Sequence, residues 1–308
     1  MRVVVTGGAG FIGANLCRHL GVAGVDTVVA LDDLSTGSRT NLDGSRAELV
    51  EGNILDRDLL DDVIRGAGAV VHLAARPSVP RSIEDPMATH TVNATGTMQV
   101  LEAVRRAGVP QIIVASSSSV YGASVELPKS ESLCARPLSP YAASKLATES
   151  YALAYQHSFG LPALAFRFFN VFGPLQAAGH AYAAVVPAFV SAALEGRPLV
   201  VHGDGKQSRD FTYVDTVTEV IADAIARGVT STSPVNLAFG TRTDLLSLIA
   251  ELEQVLGSSV QVEHTETRAG DVKHSQADST RLRELFPDVV PTALPDALRA
   301  TVDWFREE

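Results

Sequence analysis

Five short apolar segments that alternate with helical patterns constrain the fold most strongly. The segments are apolar nearly throughout, which is typical of strands covered on both faces. They span Arg2 to Thr6, Thr27 to Leu31, Ala69 to Leu73, Gln111 to Ala115 and Ala163 to Phe168. Helical periodicity predicts helices over Phe11 to Val22, Arg57 to Arg65, Val92 to Ala107 and Tyr141 to Phe159. Strands separated by helices favour right-handed crossovers, so the sequence predicts an α/β fold with a doubly wound parallel sheet.

The rhythm changes after about Asn170, where helices lengthen and strands become shorter and more scattered. A late helix is predicted over Asp244 to Leu256, with Gly257 as its stop. A length of 308 residues suits two domains or one large α/β unit. We therefore predict a sheet domain over residues 1–170. Residues 171–308 are predicted to form mainly a smaller C-terminal α/β lobe, with short segments returning to the sheet.

Charge and cysteine content narrow the classes of protein that this chain can belong to. The chain has 25 Lys plus Arg against 35 Asp plus Glu, a net charge of −10, which does not suit a nucleic-acid partner or an anionic membrane. The most apolar later stretch, Ala183 to Leu194, is too short to span a bilayer. Cys17 and Cys134 cannot build a disulfide framework. We expect a cytoplasmic protein.

A glycine-rich turn joins the first predicted strand to the first predicted helix. Gly7, Gly10 and Gly13 stand in VVVTGGAGFIGANL, with GxxGxxG spacing. Glycine permits close backbone approach to a diphosphate, and the helix N-terminus supplies N–H donors and partial positive charge. A tight strand-to-helix turn would use the same residues. With a strand before it and a helix after it, the turn favours dinucleotide binding and hence a Rossmann sheet.

A carboxylate, Asp32, ends the second predicted strand, 19 residues after Gly13. At this place a carboxylate accepts hydrogen bonds from the adenosine ribose hydroxyls and repels a 2′-phosphate. The position favours NAD over NADP. The alternative is that Asp32 and Asp33 are solvated turn residues.

Tyr141 and Lys145 lie four residues apart near the start of a predicted helix, and therefore share one face. The pKa of tyrosine is ordinarily about 10, so a tyrosine base needs nearby positive charge. We expect the Lys145 ammonium and an oxidised nicotinamide to lower the pKa of Tyr141 and make it a general base. The alternative is that Tyr141 is a buried packing residue.

A run of hydroxyl side chains, ASSSSVYG over Ala115 to Gly122, follows the fourth predicted strand. Doubly wound sheets place their chemistry at the carboxyl ends of strands. A hydroxyl here could share a hydrogen bond between a substrate hydroxyl and Tyr141. The alternative is a serine-rich turn, and the run alone does not single out one serine.

Nine motifs together resemble a known family nearly from end to end. They are TGGAGFIG, DDLSTG, HLAA, SVPRSIEDP, SSSSVYG, SPYAASK, RFFNVFGP, GDGKQSRDFTYVDTV and RAGDVKHSQAD. The chain resembles extended short-chain dehydrogenases/reductases of the NAD-dependent epimerase/dehydratase family, and most of all UDP-glucose and UDP-N-acetylglucosamine 4-epimerases.

The resemblance implies a resident NAD and the chemistry of a nucleotide-sugar 4-epimerase. Tyr141 would take the proton of the sugar 4-hydroxyl, the C4 hydride would pass to NAD, and the 4-keto sugar would be reduced on its other face. Ser117, four residues before Tyr121, would lie in the hydrogen-bond path, and Lys145 would hold the nicotinamide ribose. The catalytic residues would be Ser117, Tyr141 and Lys145.

The resemblance also implies two sets of binding residues. The NAD set is Gly7, Gly10, Phe11, Ile12, Gly13, Asp32, Asp33, Ser35, Thr36, Gly37, Asn53, Ile54, Leu73, Ala74, Ala75, Asn93, Tyr141 and Lys145. The UDP-sugar set is Ser78, Ser117, Ser118, Ser119, Tyr141, Phe168, Asn170, Arg209, Arg268, Asp271 and Ser275. Within the second set, Arg209 and Arg268 would clamp the diphosphate bidentately.

Departures from the family pattern select among its reactions. Family dehydratases and decarboxylases carry acids where this chain has Ser118 and Ser119, which favours plain epimerisation. Ser275 is small where a large aromatic excludes N-acetyl groups, so UDP-GlcNAc and UDP-GalNAc should be accepted beside UDP-glucose and UDP-galactose. Asn53 replaces the usual Asp at the adenine, so recognition there should be weaker. No arginine pattern for a C6 carboxylate follows Arg167.

Several alternatives stay open. They are a UDP-glucuronate 4-epimerase, a nucleotide-sugar dehydratase or reductase of the same family, and a cofactor-binding regulator without turnover. The intact Ser117, Tyr141 and Lys145 set argues against the regulator. The helices Val92 to Ala107 and Tyr141 to Phe159 resemble those that pair two subunits, so a homodimer is expected. The eight histidines show no zinc spacing, and no metal is predicted.

Overall fold

A computed structural model describes residues 1–179, 183–266 and 273–308. In this part of the chain, one seven-stranded parallel sheet has the order β11-β6-β5-β4-β1-β2-β3. Its strands are β1 (Arg2–Thr6), β2 (Thr27–Asp32), β3 (Glu48–Glu51), β4 (Ala69–His72), β5 (Ile112–Ser117), β6 (Ala163–Phe168) and β11 (Val235–Leu237). The predicted fold class, an α/β doubly wound Rossmann sheet, is confirmed.

Some of the helices cover both faces of this sheet, and others pack in the second half of the chain. They are α1 (Phe11–Val22), α2 (Arg57–Ile64), α3 (Val79–Glu84), α4 (Pro86–His90), α5 (Gly96–Ala107), α6 (Pro140–Phe159), α7 (Val185–Leu194), α8 (Val214–Arg227), α9 (Leu245–Leu256), α10 (Thr280–Leu285) and α11 (Leu294–Glu307). Within β1, Val3 and Val5 pack into a core with α1 and α8, whereas Val4 packs into a core with α2, α5 and α6. Alternate side chains of a strand point to opposite faces, so an apolar strand serves two cores at once.

Short strands and further helices build the rest of the chain. The strands pair as β7 (Asn170–Phe172) with β10 (Phe211–Tyr213), β8 (Leu199–His202) with β13 (Val262–Thr265), and β9 (Ser208–Arg209) with β12 (Thr243–Asp244). A third apolar cluster joins α7, α9 and α11 to β7, β8 and β10. From the same half of the chain, β11 pairs with β6 and α8 packs on α1. The division at residue 170 stays a prediction.

The structure contains elements that the sequence pattern did not predict. β3 carries glutamates at both ends, and β11 has only three residues, so neither shows the long apolar run of the other strands. The predicted helix over Val92 to Ala107 begins instead as a π-helical turn, Thr91–Thr95, before α5. The first helix, by contrast, has the predicted bounds.

Candidate active site

A cleft of about 760 Å³ opens at the carboxyl ends of the parallel strands. The sheet order reverses between β1 and β4, and a doubly wound sheet binds its ligand in the crevice at such a reversal. A pocket of 300–1,000 Å³ is the usual size for a cofactor site. The walls of the cleft come from the glycine turn after β1, the end of β2, the segment after β4, the end of β5 and the start of α6.

Close packing around the glycine turn explains why it needs glycine. Gly7 has a φ of +71°, and a Cβ on it would lie 2.7 Å from the backbone nitrogen of Ala74. A Cβ on Gly13 would overlap the carbonyl oxygen of Gly7. The turn leads directly into α1, whose first turn contains no acidic side chain. The backbone N–H groups at this helix N-terminus are therefore suited to a diphosphate.

Asp32, at the end of β2, is nine-tenths buried beside the glycine turn. Its Oδ2 accepts from the Ala9 N–H at 3.0 Å and its Oδ1 from the Leu34 N–H at 2.9 Å. Burial raises the pKa of Asp32, and these backbone hydrogen bonds act in the opposite direction. A carboxylate oxygen can accept more than one hydrogen bond. The Asp32 carboxylate can therefore also accept hydrogen bonds from ribose hydroxyls.

A second polar pair, Asp33 and Asn53, lies on the same wall of the cleft. Asn53 Nδ2 donates to Asp33 Oδ2 at 2.9 Å, and Asn53 Oδ1 accepts from the Leu55 N–H at 2.9 Å. The Asn53 oxygen thus keeps one lone pair for an amino group of a ligand. Asp33 also accepts from Ser35, through both its N–H and its hydroxyl.

Tyr141, Lys145 and Ser117 line the same cleft. The α6 helix is started by Ser139, whose hydroxyl accepts from the Ala142 N–H at 3.1 Å, and by Pro140 in the first turn. This start places Tyr141 in the first turn and Lys145 one turn later on the same face. Ser117 ends β5 and caps the following 3-10 turn, so that its hydroxyl lies at the cleft.

Burial dominates the electrostatics of this group. Burial raises the pKa of Tyr141, and hydrogen bonding with Ser117 opposes that shift. Burial also lowers the pKa of Lys145 to about 8. Lys145 Nζ donates to the Ala115 carbonyl oxygen at 2.9 Å, which holds the ammonium against the end of β5. Among the protein's own groups, desolvation of the phenolate outweighs its hydrogen bond with Ser117. The expected lowering of the Tyr141 pKa, which includes the charge of an oxidised nicotinamide, stays a prediction.

Most of the predicted NAD-binding residues line the cleft. Those that do are Gly7, Gly10, Phe11, Ile12, Gly13, Asp32, Asp33, Ser35, Thr36, Asn53, Ile54, Leu73, Ala74, Ala75, Tyr141 and Lys145. Gly37 lies behind the wall, where a Cβ would be 2.6 Å from the Ala9 oxygen. Asn93 is buried and hydrogen-bonds both the N–H and the carbonyl oxygen of Arg76, so it supports the segment after β4. The cleft and its donors fit a dinucleotide.

Fewer of the predicted UDP-sugar residues reach the cleft wall. Ser117, Tyr141 and Phe168 do so. Ser118 and Ser119 lie in the 3-10 turn, and Ser78 caps α3 with its hydroxyl while its own φ is +91°. The structure does not bring Ser78, Ser118 or Ser119 to the cleft wall.

The remaining predicted UDP-sugar residues come from the second half of the chain. Asn170 begins β7, and its Nδ2 donates to the Asp210 carbonyl oxygen at 3.3 Å. Arg209 follows Ser208, whose carbonyl oxygen accepts from the Ser275 N–H at 3.0 Å. Arg209 and Ser275 therefore lie on neighbouring segments. Two further predicted residues, Arg268 and Asp271, lie outside the described residues.

Two arginines on the cleft wall, Arg76 and Arg81, were not predicted. They follow β4 within SVPRSIEDP and the residues before it, and Arg76 pairs with Asp85 at 3.5 Å. The signal in the sequence that could have indicated both arginines was their position shortly after the end of a predicted strand. Guanidinium groups here supply positive charge to a cleft in a protein of net charge −10.

Two other kinds of feature, a membrane-spanning helix and a metal site, have no candidate in the described residues. None of their helices combines the length and apolarity needed to cross a bilayer. Across residues 1–179, 183–266 and 273–308, no three His, Cys, Asp or Glu side chains are grouped to hold a metal ion. The predicted absence of a metal stays a prediction.

Comparisons with known proteins agree with this geometry. The model of the NAD dependent epimerase/dehydratase family matches residues 3–238. A UDP-glucose 4-epimerase from Mycolicibacterium smegmatis is 37% identical over 314 residues, covering 100% of this chain and 99% of that protein.

Solved structures are similar over the whole chain. A UDP-N-acetylglucosamine 4-epimerase from Methanobrevibacter ruminantium, in complex with UDP-N-acetylmuramic acid, superposes with a TM-score of 0.94 at 35% identity, covering 99% of this chain and 98% of its own. A UDP-glucose 4-epimerase from Thermotoga maritima with UDP-glucose gives 0.93 at 31% identity, covering 100% and 99%. The resemblance and the cofactor predicted from the sequence are confirmed: the chain belongs to the NAD dependent epimerase/dehydratase family.

Proposed function

We propose that this protein is an NAD-dependent UDP-hexose 4-epimerase. It interconverts UDP-glucose with UDP-galactose and UDP-GlcNAc with UDP-GalNAc through a transient 4-keto sugar. One observation carries the proposal: Ser117, Tyr141 and Lys145 line the same cleft as the glycine turn and Asp32. The relatives that act on UDP-glucose and UDP-N-acetylglucosamine support the substrate class.

Each of the three residues has a separate task in this proposal. NAD, when bound, supplies the acceptor and donor of the C4 hydride. Tyr141 accepts the proton of the sugar 4-hydroxyl and later returns it, while Ser117 holds that hydroxyl by a hydrogen bond. Lys145 is protonated below a pH of about 8, and its charge favours the phenolate. Because burial acts against ionisation of Tyr141, this positive charge is needed for general-base chemistry at neutral pH.

The serines after Ser117 support epimerisation over elimination. Ser118 and Ser119 stand in the 3-10 turn that begins after β5, next to the proposed catalytic serine. A serine hydroxyl does not transfer protons at neutral pH as a carboxylic acid does. A dehydratase needs such an acid near the reacting carbons, so a keto product should not be released.

UDP-glucuronate is a second candidate substrate, and Arg76 and Arg81 in the cleft wall favour it. A guanidinium pairs well with a carboxylate, as it does with a diphosphate. The test is to incubate the purified protein separately with UDP-glucose, UDP-GlcNAc and UDP-glucuronate, without added NAD, and to resolve the products by NMR. We expect 4-epimers of the first two. A keto or reduced product would contradict the proposal.

The variant Tyr141→Phe tests the assigned base directly. The change removes one hydroxyl from a residue that lines the cleft, so NAD content and far-UV circular dichroism should be unchanged. Turnover should fall by at least about 100-fold, because general-base catalysis contributes a factor of roughly 10²–10⁴. Retained turnover in this variant would assign the base to another residue.

We also propose a homodimer in the cytoplasm. On the two helices expected at the interface, Leu101 and Val104 of α5 are buried in the core of the chain, whereas Met98 is 36% exposed. On α6, Tyr151 and Phe159 are exposed apolar side chains. Sedimentation of the protein and of Met98→Glu tests the interface, and a wild-type monomer would contradict it. The cytoplasmic location stays a prediction.

A further inference from the structure

A buried polar cluster ties the end of β5 to α6 beside the proposed catalytic group, and its member Ser116 also lines the cleft. Ser116 is 2% exposed, and the single hydrogen of its hydroxyl is shared between Glu149 Oε2 at 2.7 Å and, at the longer distance of 3.2 Å, the Lys145 carbonyl oxygen. Lys145 Nζ in turn donates to the Ala115 carbonyl oxygen at 2.9 Å. Three polar contacts therefore join β5 directly to α6.

An ion pair between Glu149 and Arg167 extends this cluster across the sheet. Arg167 Nη2 and Nε donate to the two carboxylate oxygens of Glu149 at 2.7 and 3.0 Å, with side chains 5% and 4% exposed. Arg167 lies opposite Ser116 in the register of β6 with β5. Its guanidinium also stacks 4.7 Å from the ring centre of Tyr121, just beyond the serine run.

This arrangement specifies geometry more strongly than apolar packing would. Burying two charges is costly, and apolar residues of similar volume often stabilise a core equally well. Hydrogen bonds, unlike apolar contacts, have narrow distances and angles. Although Arg167 Nη1 has no hydrogen-bond partner, the remaining buried hydrogen bonds of this cluster can therefore hold β5 and α6 in one relative position.

We infer that Ser116 is a positioning residue for the reaction, with the Glu149–Arg167 pair holding its hydroxyl. Ser117 follows Ser116 on β5, while Tyr141 and Lys145 lie on α6. The contacts of Ser116 therefore set the distance between the Ser117 hydroxyl and Tyr141, the base of the proposed epimerisation. The inference rests on the proposed function.

The test compares Ser116→Ala with Thr301→Val. Thr301 is a fully buried residue of α11, whose hydroxyl donates to Ala297 at 2.7 Å within its own helix, so Thr301→Val also removes one buried hydroxyl. In Ser116→Ala we expect kcat for UDP-glucose to fall by about tenfold or more while KM changes by less than about twofold, since small misplacements of reacting groups have large effects on rate. Thr301→Val should keep both constants.

Two further readouts separate positioning from a purely structural role. In Ser116→Ala the acid limb of the kcat profile should move to higher pH, because Lys145 is held less closely to Tyr141. The Tyr141 pKa should rise in the same way when it is measured by tyrosinate absorbance. The titration of the same protein carrying Tyr141→Phe is subtracted to remove the other tyrosines. Thr301→Val should move neither. NAD content and circular dichroism should match the wild type in both variants.

Glu149→Gln provides a second variant that keeps the shape of the side chain. It should also lower kcat with little change in KM. Unchanged kcat and an unmoved acid limb in Ser116→Ala would refute the positioning role. In both Ser116→Ala and Glu149→Gln, a loss of activity that is matched by a loss of bound NAD or of the circular dichroism signal would assign these contacts to folding alone. That result would also refute the positioning role. Absence of turnover in the wild type would instead refute the proposed function.

Discussion

Breaking the Glu149–Arg167 pair should destabilise the protein much more than removing both charges. Either Glu149→Gln or Arg167→Met leaves the partner charge buried without its counter-ion, since both side chains are at most 5% exposed. Two charges about 4 Å apart attract by about 4 kcal/mol at an effective dielectric constant near 20. Loss of one partner of a buried pair typically costs about 3–5 kcal/mol. We expect that cost for each single variant.

The double variant, Glu149→Gln with Arg167→Met, carries neither charge and retains an acceptor for Ser116. Its cost should be smaller than that of either single variant, and smaller than their sum by at least about 2 kcal/mol, because no unpaired charge stays buried. Urea unfolding of all four proteins, saturated with NAD and followed by far-UV circular dichroism, measures each free energy of unfolding. Single costs under about 1 kcal/mol, or additive costs in the double variant, would refute the reasoning.

Three other predictions concern the cleft. Asp32→Asn removes the ribose carboxylate while keeping its size, so NAD affinity measured by calorimetry should fall by about tenfold, the effect of roughly 1.4 kcal/mol; unchanged affinity would place the ribose elsewhere. Burial lowers the pKa of Lys145 from 10.5 to about 8, so the unfolded chain binds more protons between these values. Stability of the NAD-free protein should therefore rise by about 3 kcal/mol from pH 8 to 10.5, and Lys145→Met should lose that contribution in urea unfolding; equal slopes would contradict the shift. Ser275→Tyr should abolish turnover of UDP-GlcNAc by filling the space for the N-acetyl group and spare UDP-glucose; intact UDP-GlcNAc turnover would exclude the gate.

The bounds of the longer elements were predictable because their signals are local. The helix Phe11–Val22 follows a glycine turn, and α6 follows a Ser-Pro start and ends at a glycine with φ +66°. β3 and β11 were not predictable in this way. A two- to four-residue strand is stabilised by the neighbour with which it pairs, and that neighbour is distant in the sequence.

The residues of the candidate site also differ in whether a local sequence pattern encodes them. The phosphate turn, Asp32 and the shared face of Tyr141 and Lys145 depend on spacings within one turn, strand or helix, so the sequence indicated them directly. Arg76 and Arg81 line the cleft but were not predicted. Their segment follows β4 and has no regular apolar pattern from which the direction of either side chain could be inferred.

The sequence by itself determined the alternation of the five longer strands with helices, the glycine turn and the carboxylate at the end of the second strand, because each is encoded by neighbouring residues. Only the tertiary structure decided that the Ser116 hydroxyl donates to Glu149, although Ser116 and Ser117 both line the cleft, and that Arg167 meets Glu149 across 18 positions of sequence. It also decided the raised pKa of Tyr141. The physical reason is that partners and desolvation come from segments distant in the chain, which only the packed fold brings together.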